Sequence, residues 1–218
     1  MTDRDSRVVL IGAGGHGRVC ADVFRAAGWV VEGFIDAQLP AGSPVGSDWK
    51  VLGGHELLDD PNWTKVRAFF VSVGNNDTRA RLADELRARG LRLASAVHPF
   101  SWISPSVTIG SNVVVMPGAV VNYGSRLADD VVINTGATVD HDCPLAQGVQ
   151  VGPGAHISGT VPIGARSFIG TGASTVQSIS IGRDVIVGAG AAVIESLPDG
   201  VTAVGVPARI IERRSGGG

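Results

Sequence analysis

Between Ile103 and Val193 an aliphatic residue returns at every sixth position, and the phase never slips. Ile103, Ile109, Val115 and Val121 open the column, Ile181, Val187 and Val193 close it, and Thr175 is its single break. A helix repeats at about 3.6 residues and a strand at 2, so neither asks for a period of six. A parallel β-helix does, because each hexad is one short strand plus a corner and successive coils stack to share a core. Three hexads make a coil of 18 residues, and the other inward positions obey that longer period. One column is Ala119, Ala137, Ala155, Ala173 and Ala191; a second is Val113, Val131, Val149, Ser167 and Val185; the third is Val107, Ser125, Cys143, Val161 and Ile179. Small or β-branched side chains are what a narrow prism interior admits. The expected winding is left-handed, the known exception to the crossover rule, with about five coils up to Leu197. The tail from Pro198 to Arg214 ends the prism, and Ser215–Gly218 is expected to fray.

Ahead of the hexads the pattern changes to alternating strand and helix, which predicts parallel β/α units. Strands are expected at Arg7–Ile11, Trp29–Ile35, Arg67–Val73 and Leu91–Val97. A helix runs from about Arg18 to Ala27, stopped by Gly28, and a second from a capping Asp77 to Arg89. Ala37 to Lys50 reads as loop. The boundary falls at His98-Pro99, giving an α/β + β chain. Residues 1–98 are expected to form a Rossmann-like domain, 99–214 a left-handed parallel β-helix of hexapeptide repeats, and 215–218 a tail.

A net charge of −2 gives no basic footprint for nucleic acid. Cys20 and Cys143 are the only cysteines, too few for a disulfide framework. Met1–Arg7 lacks the apolar stretch of a signal peptide, and no run approaches the roughly 20 apolar residues that span a bilayer. The expected location is the cytoplasm, without membrane insertion.

Gly12–Gly17 reads G-x-G-x-x-G between a strand and a helix, with Asp36 ending the next strand. The glycines let phosphate oxygens approach backbone N–H groups at the positive end of the helix. Four strands are too few for the six-stranded unit that holds a dinucleotide, so a mononucleotide or sugar nucleotide fits better. His16 is placed either to donate to a phosphate or to cap the helix. Gly74-Asn75-Asn76 follows the third strand at the same carboxyl edge, where Asn75 is a candidate to read base or sugar and Asn76 reads as a turn residue.

Asp140-His141-Asp142 is the constellation that carries chemistry. A neutral imidazole hydrogen-bonded to a carboxylate is a better proton acceptor, because the imidazolium that forms is stabilised. Adjacency in sequence does not choose between Asp140 and Asp142. Gly159 lies 18 residues after His141, hence one coil over on the same face, where a bare backbone N–H suits an oxyanion. His156 reads as a surface residue, and His55 and His98 as loop or linker residues. No metal site is expected, since Cys143 falls in an interior column and no spaced Cys/His set exists.

The hexads, Asp140-His141-Asp142, the GAGGHG loop and the tail Gly205-Val206-Pro207-Ala208-Arg209 together resemble one family. It is the nucleotide-sugar acetyltransferases of the left-handed β-helix type, among them bacillosamine-pathway N-acetyltransferases and sialic acid O-acetyltransferases. The resemblance runs from Val8 to Arg209. It implies a homotrimer, with acetyl-CoA between neighbouring prisms and the sugar nucleotide held by the N-terminal domain. It makes His141 the general base, Asp142 its acidic partner and Gly159 the oxyanion donor. It assigns Gly14, Gly15, His16, Asp36 and Gly74 to the sugar nucleotide, and Thr171 and Ala189 to acetyl-CoA. Family members often carry a second histidine nine residues after the base; here that position is Gln150, which can hydrogen-bond acetyl-CoA but cannot titrate. The implied reaction is acetyl transfer to the amino group of a nucleotide-linked 4-amino sugar, GDP-perosamine favoured, with O-acetylation as on sialic acid the alternative.

Overall fold

The computed structural model describes residues 6–213, so the expectation for Ser215–Gly218 lies outside the described residues. The chain divides into two compact units, Met1–His98 and Pro99–Gly218.

In the first unit the elements run β1 (Arg7–Ile11), α1 (Gly15–Ala26), β2 (Val30–Ile35), β3 (Pro44–Val45) and β4 (Trp49–Gly53). A 3-10 turn (His55–Asp59), α2 (Pro61–Thr64), β5 (Ala68–Val71) and α3 (Asn76–Ala88) follow. The sheet order is β3-β4-β2-β1-β5, parallel except for β3. Alternation along the strands gives each face its own cover. Phe70 meets Phe24 of α1, ring centroids 4.8 Å apart, while Val9, Ile11, Phe69 and Val71 pack with Leu58 of the 3-10 turn and Ala83 and Leu86 of α3.

Four expectations need correction. The first helix starts at Gly15, three residues before Arg18, so the glycine motif supplies its first turn. Asn75 caps α3 rather than Asp77: its side chain accepts the Thr78 N–H at 2.9 Å. The Ala37–Lys50 segment is not all loop, because β3 folds back on the start of β4. The fourth strand shrinks to a single parallel bridge, Leu93 beside Phe69, with a separate two-residue strand at Ala96–Val97.

The second unit is a parallel β-helix with three faces. Six two-residue strands, Trp102–Ile103 to Ala192–Val193, stack on the first face at intervals of 18. The second face carries Thr108–Ile109, Arg126–Leu127 and Pro144–Leu145 and continues as single bridges through Ile163, Ile181 and Leu197. The third runs from Val114–Val115 through Gln150–Val151 and Ile186–Val187 to Val201–Val204. The alanine column is 0% exposed throughout, as a shared interior requires. Ser125, Cys143, Val161 and Ser167 are equally buried, whereas Val107 and Ile179 are half-buried. The period fails only at the end, where Ile181 meets Leu197 and Val187 meets Ala203, so the last coil is two residues short.

Candidate active site

Two constellations stand out, one in each unit. In the first, α1 leaves the sheet on one side of β1 and α3 packs on the other, so the strand order reverses between β1 and β5. Ligands bind parallel sheets at such a point, outside the carboxyl ends of the strands. The loop after β1 and the turn after β5 meet there: a Cβ on Gly74 would sit 4.0 Å from His16 Cβ. Gly17 must be glycine, since a Cβ would overlap the Gly12 carbonyl oxygen. The first turn of α1 carries no acidic residue and no side-chain cap, which leaves its amides open to an anion.

Asp36 ties this loop together. One carboxylate oxygen accepts the Ala13 N–H at 2.9 Å and the other accepts Gln38 and Leu39. Burial opposes its ionisation, yet those three amides and nearby His55 together hold the carboxyl below its usual range. His16 is held neutral instead: burial first, then the Arg79 cation, lowers its pKa to about 4. Its Nε2 lies 3.5 Å from Cys20 Sγ, and burial pushes that thiol up, so both partners of the contact are uncharged. Fully buried Arg79 donates to the Val73 and Gly74 carbonyls and to Asn76 Oδ1, fixing the turn from below. Asn75 is present at the edge, with its side-chain oxygen spent on the helix cap. A cavity of about 310 Å³ lies between the 3-10 turn and α3, with Ile11, the residue before the glycine loop, on its floor.

In the second unit, Asp142 takes a left-handed corner conformation, φ 57°. That turn brings its Oδ2 to 3.0 Å from His141 Nδ1. A carboxylate only accepts, so Nδ1 carries the proton and Nε2 keeps its lone pair in the neutral ring. Asp140 plays a different part: its Oδ1 accepts the His141 backbone N–H at 2.8 Å and the Asn122 amide at 3.1 Å. The imidazole lies over Gly159, where any Cβ would overlap Nε2. His141 remains 53% exposed, open to a substrate.

Thr171 and Ala189 fall at another corner, between the third face and the first, and Gln150 sits on a third-face strand that leads to that edge. Thr171 and Ala189 stack there 18 apart, and the Thr171 carbonyl accepts the Gly190 N–H at 2.8 Å. The width of the first face separates that corner from His141 within one chain. The Gln150 side-chain oxygen is buried without a partner among the described residues. Between the two corners runs a groove of about 380 Å³ lined by Asn122, Thr138, Asp140, His156 and Ser158. Sequence reasoning missed this groove, because its residues are scattered through the chain and meet only through the 18-residue stacking. His156 is exposed as expected, with Nδ1 2.9 Å from Thr138 Oγ1. Among the described residues no group of three or more His, Cys, Asp or Glu is placed to hold a metal ion, and no helix is long and apolar enough to cross a membrane.

A nucleotide-type sheet joined to a hexapeptide β-helix with an outward His–carboxylate pair defines an acyltransferase of the sugar-nucleotide class. Comparison with known proteins gives the particular family. Residues 7–86 match the PglD N-terminal domain. The acetyltransferase domain of PglB from Neisseria gonorrhoeae FA1090 is 40% identical, with a TM-score of 0.89; the match covers 94% of this chain and 100% of that one. PerB from Caulobacter crescentus, solved with CoA and GDP-perosamine, is also 40% identical, with a TM-score of 0.88 and coverage of 94% and 97%. UDP-N-acetylbacillosamine N-acetyltransferase of Bacillus subtilis (strain 168) is 37% identical over 118 residues, a match that spans 50% of this chain and 50% of that protein. The chain belongs to the nucleotide-sugar N-acetyltransferase family.

Proposed function

We propose that the protein transfers acetyl from acetyl-CoA to the amino group of a nucleotide-linked 4-amino sugar, with GDP-perosamine the favoured acceptor. The observation that carries this reading is the His141–Asp142 pair: an exposed imidazole, its tautomer fixed by a carboxylate, seated on a glycine backbone. The Nε2 lone pair accepts the proton that the amine loses as it attacks the thioester carbonyl. The Gly159 N–H donates to the oxyanion of the tetrahedral intermediate, and CoA thiolate leaves when that intermediate collapses. Cys143 is buried in the prism and is no nucleophile, so acyl transfer is direct.

The sugar nucleotide places its diphosphate on the open amides of Gly14, Gly15 and His16, beside Gly74 and Asn75. Neutral His16 lies at the same edge, and Asp36, with lone pairs to spare beyond its three amide donors, faces the ribose. The base enters the cavity over Ile11, between Leu58 and Leu82. Acetyl-CoA lies along the corner of Thr171 and Ala189 and the third-face ladder that carries Gln150. That corner and the His141 corner come together when three chains pack as a trimer, so that each site draws on two prisms. Solved relatives support the ligands: the PglB domain is known in complex with acetyl coenzyme A, and PerB with CoA and GDP-perosamine.

Thiol release measured with acetyl-CoA and a panel of GDP-, UDP- and dTDP-linked amino sugars tests the reading, beside isothermal titration of the same nucleotides. Turnover with an amino sugar and none with its hydroxyl counterpart is expected; the reverse preference establishes O-acetylation instead.

A further inference from the structure

The first face of the prism repeats one hydrogen-bond unit. At each step two amides, two residues apart, donate to the next coil. Val120 and Asn122 donate to the Ala137 and Val139 carbonyls, Thr138 and Asp140 to Ala155 and Ile157, and Ser174 and Val176 to Ala191 and Val193. The step between His156 and Ser174 departs from this. The His156 N–H reaches the Ala173 carbonyl at 2.8 Å as usual. The Ser158 N–H instead donates to Thr175 Oγ1 at 3.0 Å, and the Ser158 hydroxyl takes the vacated Thr175 carbonyl at 2.6 Å. The irregular step falls at the one break in the aliphatic column. Thr175 is buried, 7% exposed, and an aliphatic side chain there has no oxygen to offer.

The consequence falls on the next residue, Gly159. Asp140 and Ser158 stack 18 apart, and both carbonyls are drawn toward the interior column: Ser125 Oγ donates to Asp140 O at 2.7 Å, and the Cys143 thiol to Ser158 O at 3.2 Å. In a trans peptide the following N–H points the opposite way. The N–H groups of His141 and Gly159 are therefore aimed outward. Asp140 covers the first with its own carboxylate. The matching cover for the second would be the Ser158 hydroxyl oxygen, but the bond that this hydroxyl donates to the Thr175 carbonyl holds it elsewhere, and it does not accept the Gly159 N–H. No acceptor among the described residues takes the Gly159 N–H, which lies under the His141 ring.

We propose that Thr175 is a positioning residue: its exchange with Ser158 keeps the Gly159 N–H unpaired and aimed at the carbonyl oxygen of a thioester attacked beside His141. The proposal rests on the acyl-transfer reading above. A fixed N–H aimed at an oxygen that gains charge during reaction stabilises the transition state more than the ground state, so the exchange acts on kcat.

Two substitutions separate positioning from packing. Thr175→Val is close to isosteric and completes the aliphatic column, but removes Oγ1; Thr175→Ser keeps the oxygen and loses a methyl. Thr175→Val is expected to lower kcat about 10- to 100-fold, with both KM values within about twofold, because an oxyanion donor is displaced rather than deleted. Its melting temperature stays at or above that of the wild type. Thr175→Ser is expected to keep kcat within about threefold while melting earlier, since a buried methyl is lost. A Thr175→Val enzyme that turns over at the wild-type rate, or two variants that lose activity in proportion to stability, overturns the proposal. If the wild type acetylates no nucleotide amino sugar, the proposed reaction falls instead. Crystal structures of the wild type and Thr175→Val then decide the geometric claim: it stands if Ser158 covers the Gly159 N–H only in the variant, and falls if both leave it equally open.

Discussion

His141 is more than half exposed and tied to the protein through one ring nitrogen, so substituting it removes chemistry without opening the core. His141→Ala is expected to melt within about a degree or two of the wild type, as surface changes do, and to lose roughly 10²- to 10⁴-fold in turnover. Binding of both ligands should persist; in the Caulobacter relative, structures with a histidine replaced by alanine or asparagine still hold CoA and GDP-perosamine. Unchanged thiol release from His141→Ala would remove the general base from the mechanism. His16 makes a different prediction, in stability rather than rate. Its pKa falls from 6.5 to about 4 on folding. Between those values the unfolded chain binds more protons than the folded one, so stability is full above about pH 6.5 and declines as pH falls toward 4. The loss is at most about 3.5 kcal/mol, each pKa step being worth about 1.4 kcal/mol. Melting temperatures of the wild type and His16→Asn across that range check it: the slope with pH should flatten in the variant.

Among the elements, α1 shows most clearly what local sequence rules miss. Glycine is a poor helix former, and that preference places the helix start at Arg18. Three glycine-rich residues form the first turn nevertheless, because Gly17 must pass against the Gly12 carbonyl and any side chain would hold the helix away from the strand. Gly17→Ala is expected to destabilise the first unit by about 1–3 kcal/mol through overpacking and to weaken nucleotide binding more than acetyl-CoA binding. Titration of each ligand into the folded variant tests this; equal losses would place Gly17 in general stability alone. The turn after β5 misled in a related way, since Asn75 and Asp77 are both good caps and only the backbone decides that Asn75 holds the cap. β4 was hidden by its approach, a polar stretch whose strand character comes from pairing with β2 and β3. The hexads, by contrast, were legible from Ile103 onward because every coil repeats the same inward side chains. Even Thr175 was visible as the break in that column, although its exchange with Ser158 depends on hydrogen bonds that no sequence pattern encodes.

Across the whole molecule the arrangement of corners matters most. One prism carries His141 and Gly159 at the corner after its first face, and Thr171 and Ala189 at the corner before it, with Gln150 on the third-face ladder that leads there. If a site is built between neighbouring prisms, each chain gives its histidine to one site and its acetyl-CoA corner to another. Two inactive variants should then repair each other. In the proposed mechanism His141→Ala lacks the base and keeps the acetyl-CoA corner intact, whereas Ala189→Trp, at an exposed position, blocks that corner and keeps the base. Mixed by partial denaturation and refolding at equal amounts, random trimers would contain about a quarter of their sites with the histidine from one variant and the open corner from the other. Thiol release should therefore recover to about a quarter of the wild-type rate, and size-exclusion chromatography with light scattering should report a mass near three chains. A folded, trimeric mixture that stays inactive would mean that both corners of a site come from one prism, and a monomeric mass with full wild-type activity would remove the shared site altogether.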